Sequence, residues 1–115
     1  MRQPLLSVIV PCYNVENYVE KCVHSLLAQT YRNIEIICVN DCSKDSTGEK
    51  LEELRKLDER IIIVTHKSNQ GLFRARITGM GYVHGDYVAF VDSDDYVDRD
   101  FYRCLVDKAC EKDYD

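Results

Sequence analysis

Four short apolar runs alternate with amphipathic segments along this chain, and this alternation limits the folds that are open to it. The apolar runs are rich in valine and isoleucine, which favours β-strands, and each run is followed by a polar loop. Between the loops, apolar residues recur at the three- and four-residue spacing that predicts helices. The predicted strands are residues 5–11, 34–40, 60–65 and 87–91, and the predicted helices are residues 16–28, 47–57, 72–83 and 98–112.

The order β-α-β-α-β-α-β-α is typical of an open, mostly parallel, Rossmann-like α/β sheet with helices on both faces. Strands this apolar are expected to be buried on both sides. Because crossovers between parallel strands are right-handed, the loops that follow the strands all lie at one edge, where open α/β sheets bind their ligands. The polar residues that we expect to meet there are Tyr13, Asp41, Asn69 and residues 92–95.

Length and charge restrict the possible functions. With 115 residues the chain is one small domain or part of a larger one. A formal net charge of -5 without any basic run argues against nucleic-acid binding. No apolar stretch is long enough to span a membrane and no secretory cleavage pattern follows Met1, which predicts a cytoplasmic protein with six reduced cysteines.

The fourth apolar run ends in Asp92, Ser93, Asp94 and Asp95. If the backbone stays extended there, Asp92 and Asp94 point to the same side. Two adjacent carboxylates repel each other unless a proton or a cation lies between them, and Mg²⁺ or Mn²⁺ bound to phosphates is a suitable cation. The alternative is a solvated acidic turn that ends the strand, and the run by itself leaves both interpretations open.

Other residues at the same edge suit a nucleotide. Tyr13 offers a flat face for a base, or it packs at the end of its strand. Asp41 could accept a hydrogen bond from a base or a sugar, or it bonds locally to Ser43. Asn69 begins a helix whose amides could receive an anion, and Arg76 could neutralise phosphate or remain a solvated surface charge. A nucleoside diphosphate with a divalent cation would use all of these groups.

Five blocks of sequence carry a resemblance to a known family. They are VIVPCYN (8–14), SLLAQTY (25–31), VNDCSKD (39–45), NQG (69–71) with AR (75–76), and FVDSDD (90–95). In this order they resemble the family-2 inverting glycosyltransferases of the GT-A fold, over nearly the whole chain. The combination of the five blocks is specific, whereas no single block is.

The resemblance implies roles for particular residues. Pro11 and Tyr13 would line the base pocket, and Asp41 would bond the uracil. Asp94 would coordinate Mn²⁺ or Mg²⁺, with Asp92 at the metal or the ribose. The implied nucleotide-binding residues are Pro11, Tyr13, Asp41, Asn69, Arg76, Asp92 and Ser93, and the implied metal ligands are Asp94 and Asp92.

The resemblance also implies the reaction and its partners. The donor would be a nucleotide-diphosphate sugar, with a uridine diphosphate sugar expected. The acceptor would be a glycan or a lipid-linked group. The reaction would belong to polysaccharide or cell-surface glycan synthesis. The full-length enzyme would lie at the inner face of the membrane if it is peripheral to it. We expect residues 1–115 to be the nucleotide-sugar-binding half, with the catalytic base and the acceptor-binding half outside it. The carboxylates at positions 107, 111, 113 and 115 are expected to be solvated, and a homo-oligomer is left open.

Other classes of protein fit less well. A receiver-type domain needs an aspartate after the first strand, where this chain has Pro11 and Cys12, and a dinucleotide-binding oxidoreductase needs a glycine-rich first turn. The alternative that stays open is a non-catalytic nucleotide-sugar-binding or partner-binding module built on the same fold.

Overall fold

Four strands and four helices alternate in the predicted order over the part of the chain that the structure describes. The computed structural model describes the backbone of residues 3–112 and the side chains of residues 3–109. The elements are β1 (Leu6–Cys12), α1 (Val19–Leu27), β2 (Ile34–Asn40), α2 (Thr47–Leu57), β3 (Ile61–Thr65), α3 (Leu72–Met80), β4 (Tyr87–Phe90) and α4 (Phe101–Lys112).

The four strands form one parallel sheet in the order β3-β2-β1-β4. Every residue of β1 and β2 is buried, as expected for the central strands of a parallel sheet. Pro11 does not end β1, because the strand runs on to Cys12 and stays paired with β2. The Cys12 carbonyl accepts the amide of Asp41 at 2.8 Å, which continues the pairing of the two chains beyond the proline.

Helices cover both faces of the sheet, and both faces bury an apolar cluster. On one face, residues of α1, α2 and α4 pack against Val8, Val10 and Cys38. On the other face, Ala75 of α3 packs against Ile9 and the neighbouring residues of β2. The predicted open parallel α/β sheet with helices on both faces is confirmed.

The prediction that the fourth strand is buried on both sides is wrong. Half-buried and exposed residues alternate along β4, and the Phe90 side chain is 48% exposed. The reason is the order of the strands. Strand β4 lies at the edge of the sheet beside β1, and α3 packs over β1 and β2 rather than over β4.

Within residues 3–112, no helix combines the length and the apolar character needed to cross a membrane.

Candidate functional site

A cavity of about 380 Å³ opens at the carboxyl ends of the strands. It brings together residues at or beyond the carboxyl ends of β1, β2, β3 and β4, which are up to 83 positions apart in the chain, from Pro11 to Asp94. Six of the seven residues predicted to bind the nucleotide line it, and so does the predicted metal ligand Asp94. The lining residues are Pro11, Cys12, Tyr13, Val15, Asp41, Asn69, Gly71, Leu72, Ala75, Asp92, Ser93 and Asp94.

Tyr13 lies in the cavity wall with 43% of its surface exposed, so it is not packed at the end of its strand. The backbone beyond it turns sharply at Asn14, which has a φ angle of 51°. Two hydrogen bonds hold this turn against the loop after β2. The Asn14 amide donates to Ser43 Oγ at 3.1 Å, and Asn14 Oδ1 accepts the Lys44 amide at 2.8 Å. The tyrosine is therefore held by the backbone while its ring stays accessible.

Asp41 follows β2 and is 3% exposed. Its Oδ1 atom accepts hydrogen bonds from Nδ1 of His66 at 2.7 Å and from the Gln70 amide at 2.8 Å. Its Oδ2 atom accepts the Gly71 amide at 2.8 Å. The local bond to Ser43 that we considered is not formed, because the Ser43 amide donates to Asn40 Oδ1 instead. Asp41 thus connects the end of β2 to the loop that precedes α3.

These hydrogen bonds keep Asp41 ionised. Burial would by itself raise the pKa of the carboxyl group. The hydrogen bonds from His66 and from the amides of Gln70 and Gly71 outweigh burial, so the pKa of Asp41 lies below its usual value. An ionised carboxylate only accepts hydrogen bonds, which makes the cavity wall selective for a donor at this point.

Gly71 gives the loop before α3 its shape. Its φ angle is 91°, in a region that L-residues with a side chain rarely adopt. This conformation directs the Gly71 amide to Asp41 while the Gly71 carbonyl accepts the Ala75 amide in the first turn of α3. One of the amides that we expected to receive an anion is therefore already used by Asp41.

The acidic run forms a tight turn instead of continuing the strand. Strand β4 ends at Phe90, and the Asp95 amide donates to the Asp92 carbonyl at 2.9 Å. Carboxylate oxygens of Asp92, Asp94 and Asp95 lie within 4.8 Å of one another, and all three residues are exposed. The predicted pair is therefore part of a group of three, and a turn rather than extended backbone brings it together.

Arg76 is the predicted nucleotide-binding residue that does not line the cavity. Its Nη2 atom lies 3.5 Å from Oδ1 of Asp92, and its guanidinium carbon lies 6.0 Å from the centre of the Phe90 ring. The side chain borders a second cleft of about 330 Å³, together with Asp95 and Tyr96. Arg76 therefore lies beside the acidic group, on the side away from Tyr13 and Asp41.

Helix α1 and the turn that follows it contact the acidic turn and the segment after it. The Cys22 thiol donates to the carbonyl of Asp92 at 3.7 Å, and burial raises the pKa of Cys22 to about 12. Beyond the end of α1, the side chain of buried Gln29 makes two hydrogen bonds. Its Nε2 atom donates to the carbonyl of Asp98 at 2.5 Å, and its Oε1 atom accepts the amide of Tyr102 at 3.0 Å. Among the described side chains, Cys12, Cys22, Cys38, Cys42 and Cys104 form no disulfide, and Cys110 lies outside the described side chains.

Sequence reasoning did not assign a role to His66 or to Gln29. His66 directly follows β3, at the edge where we expected the site, and this position was the available signal. Its buried bond to Asp41 joins residues 25 positions apart, and no local pattern reveals such a contact.

Comparison with known proteins decides the family. The sequence profile of the family described as "Glycosyl transferase family 2" matches residues 7–115. The chain belongs to glycosyl transferase family 2. A relative from Streptococcus pneumoniae, Glycosyltransferase GlyA, is 48% identical over 106 residues, which are 92% of this chain and 15% of that protein.

Solved structures of glycosyltransferases share the fold. S. aureus TarS 1-349 in complex with UDP-GlcNAc superposes with a TM-score of 0.87 at 31% identity, over 92% of this chain and 31% of that one. The mannosyltransferase PcManGT from Pyrobaculum calidifontis, in complex with GDP-Man and Mn²⁺, matches with a TM-score of 0.79 at 23% identity, over 85% of this chain and 30% of that one. The predicted GT-A fold is confirmed, and this family-2 chain spans less than a third of each of these relatives.

Proposed function

We propose that these 115 residues form the nucleotide-sugar-binding part of a glycosyltransferase that uses a uridine diphosphate sugar. The observation that supports this best is the single cavity shared by Tyr13, Asp41, Asp92 and Asp94. It places an accessible aromatic ring, an ionised acceptor and an acidic group in one space of about 380 Å³, a volume typical of small-molecule sites. The UDP-GlcNAc bound by TarS supports the choice of donor.

Each part of the ligand has a suitable partner in this arrangement. The base stacks on the exposed ring of Tyr13 and donates to Asp41, an ionised acceptor that lines the same cavity. The diphosphate lies toward Asp92 and Asp94. Because phosphates and carboxylates repel each other, this end of the site requires a cation.

The acidic turn suits a divalent metal ion. Its three carboxylates offer oxygen ligands within 4.8 Å of one another, and Mg²⁺ and Mn²⁺ prefer oxygen ligands shared with phosphates. Asp92 and Asp94 would hold the ion on the side of the cavity, with Asp95 as a further ligand. When bound, such an ion stabilises the negative charge of the departing diphosphate as a Lewis acid.

The transfer step also needs an acceptor site and a base. An acceptor hydroxyl that attacks with inversion must lose its proton to a base. Among the carboxylates described after the acidic turn, Asp98 and Asp100 accept hydrogen bonds from the Asp100 amide and from Thr30, and Asp107 is exposed on α4. Asp113 and Asp115 and the side chain of Glu111 lie outside the described part of the chain. We therefore propose that the acceptor site and the base belong to another part of the enzyme.

A thermal-shift and calorimetric titration with UDP tests the proposal. UDP should raise the melting temperature with Mn²⁺ and not with EDTA, because only the ion offsets the repulsion at the acidic turn. Asp94→Asn should lower the affinity for UDP with Mn²⁺ at least tenfold. The matched control Asp107→Asn removes the same charge from α4 and should change nothing. Equal affinity for UDP with Mn²⁺ and with EDTA would contradict the proposed metal site.

The inverting outcome, the role in polysaccharide synthesis, the cytoplasmic location and the oligomeric state stay predictions. Product anomer analysis, inactivation of the gene, cell fractionation and light scattering, respectively, would test them.

A further inference from the structure

A chain of hydrogen bonds lies behind the wall of the cavity. It runs from Asp41 through the ring of His66 to Thr78 of α3, with distances of 2.7 and 2.8 Å. His66 is 8% exposed and does not line the cavity. We infer that His66 is a positioning residue that orients Asp41 and thereby selects bases that present a ring N–H group. This inference rests on the proposed nucleotide-binding function.

The hydrogen bonds of Asp41 leave it one acceptor position for a ligand. A carboxylate has about four lone-pair positions. The ring of His66 and the Gln70 amide occupy both positions on Oδ1, and the Gly71 amide occupies one on Oδ2. Because Asp41 lines the cavity, the remaining position on Oδ2 is the one available to a bound base.

Three hydrogen bonds hold His66 in place, one from its backbone and two at its ring. Its own backbone amide donates to the Asn40 carbonyl at 2.9 Å, which keeps the residue beside the end of β2. Because ionised Asp41 can only accept, Nδ1 of the ring must carry the hydrogen that joins them. In the neutral ring, Nε2 then accepts from the Thr78 hydroxyl, so both ring nitrogens are bonded and the ring cannot rotate without losing a bond.

The fixed ring is the third donor that holds the carboxylate, together with the amides of Gln70 and Gly71. Without the bond from His66, Oδ1 would keep only the Gln70 amide and would gain a free lone pair, so the carboxylate could tilt toward other donors. Uracil presents a ring N–H where cytosine presents a bare ring nitrogen, which a carboxylate repels. The preference for uracil over cytosine therefore depends on the orientation that His66 imposes.

Calorimetric titration of the 115-residue chain with UDP, CDP and pyrophosphate, each with Mn²⁺, tests this inference. In the wild type, UDP should bind about tenfold more tightly than CDP, the effect of one unpaired buried group. His66→Leu should lower UDP affinity about tenfold, reduce the preference over CDP to below about threefold, and leave pyrophosphate binding unchanged. His24→Leu, which changes an exposed histidine on α1, is the matched control and should behave as the wild type.

Two further variants separate positioning from folding. His66→Asn keeps an N–H donor for Asp41, so it should restore most of the preference for UDP. Thr78→Val retains the shape of α3 while it frees the Nε2 side of the ring, so it should weaken the preference in a folded protein. If His66→Leu and Thr78→Val both keep the wild-type ratio of UDP to CDP affinity, the inference is refuted and the proposed function stands. If the wild type binds no nucleoside diphosphate with Mn²⁺, the proposed function is wrong and the inference is lost with it.

Discussion

Replacement of Asp41 by asparagine tests the central group of the site. Asparagine has nearly the same shape but exchanges one carboxylate oxygen for an NH₂ group. If the amide oxygen takes the place of Oδ1, it keeps the bonds to His66 and Gln70, and the NH₂ group then faces the Gly71 amide, donor against donor. The NH₂ group would also meet the ring N–H of uracil. Asp41→Asn should therefore weaken both the fold and the binding of UDP.

The size of the effect follows from the number of bonds affected. One buried donor, the Gly71 amide, loses its acceptor, which costs about 1–3 kcal/mol. For a chain of this size, this lowers the melting temperature by roughly 4–12 °C. The lost bond to the base lowers the affinity for UDP about tenfold or more. Asp41→Ala would remove all three bonds at once, so it confounds folding with recognition and is the poorer variant.

The difference in stability between the wild type and Asp41→Asn should depend on pH, and this dependence reports the charge of Asp41. The pKa of Asp41 is lower in the folded protein than in the unfolded chain, where it is about 3.9. The stabilisation is therefore fully present above that pH and is lost as the pH falls through the folded pKa. Melting curves of wild type and Asp41→Asn should differ most near pH 6–7 and converge in acid. Glu35, Asp45 and Asp58 also have lowered pKa values, but they are common to both proteins and cancel in the difference.

Two outcomes would refute this reasoning. One is an unchanged melting temperature of Asp41→Asn at pH 7, and the other is a difference that stays constant down to pH 3. The exposed control Asp107→Asn should leave the melting temperature within about 1–2 °C of the wild type, the usual range for surface substitutions.

Three other changes test the framework around the site. The Cβ atom of a residue with a side chain at position 79 would lie 2.6 Å from Cγ2 of Ile9. Gly79→Ala should therefore lower the free energy of unfolding in urea by about 1–3 kcal/mol, although alanine has the higher helix propensity. A more stable variant would contradict this packing. Gln29→Leu removes the bonds to the carbonyl of Asp98 and the amide of Tyr102 and should cost about 2–4 kcal/mol, whereas a neutral effect would mean that the turn after α1 does not hold the segment after the acidic turn. The 115-residue chain should release UDP from a UDP-sugar only slowly and without stimulation by acceptors, because we propose that the acceptor site and the base, worth about 7–11 kcal/mol and 10²–10⁴-fold, belong to another part of the enzyme. Acceptor-stimulated turnover would place the base within these residues.

The local pattern of the sequence was sufficient for the elements and for the edge at which the site lies. The bounds of β2 and α2 agree with the prediction, because an apolar β-branched run and a helical stripe are recognisable from neighbouring residues alone. Helices α1 and α4 begin three residues later than predicted, since the preceding residues form turns whose bonds involve other parts of the chain. The meeting of Tyr13, Asp41 and Asp94 also followed from the order of elements, because the handedness of crossovers is nearly invariant.

Only the tertiary structure decided how the site is assembled. The position of β4 at the edge of the sheet exposes Phe90, and Arg76 lies in the cleft beside it instead of lining the main cavity. The acidic residues converge through a turn, and Asp41 takes its partners from residues 25 to 30 positions further along the chain. Backbone geometry determines the spacing of side chains within one strand or helix, so the sequence alone determines which face or edge a residue occupies. The partners of a buried polar group depend on how separate elements pack, and that packing is set by the whole chain at once.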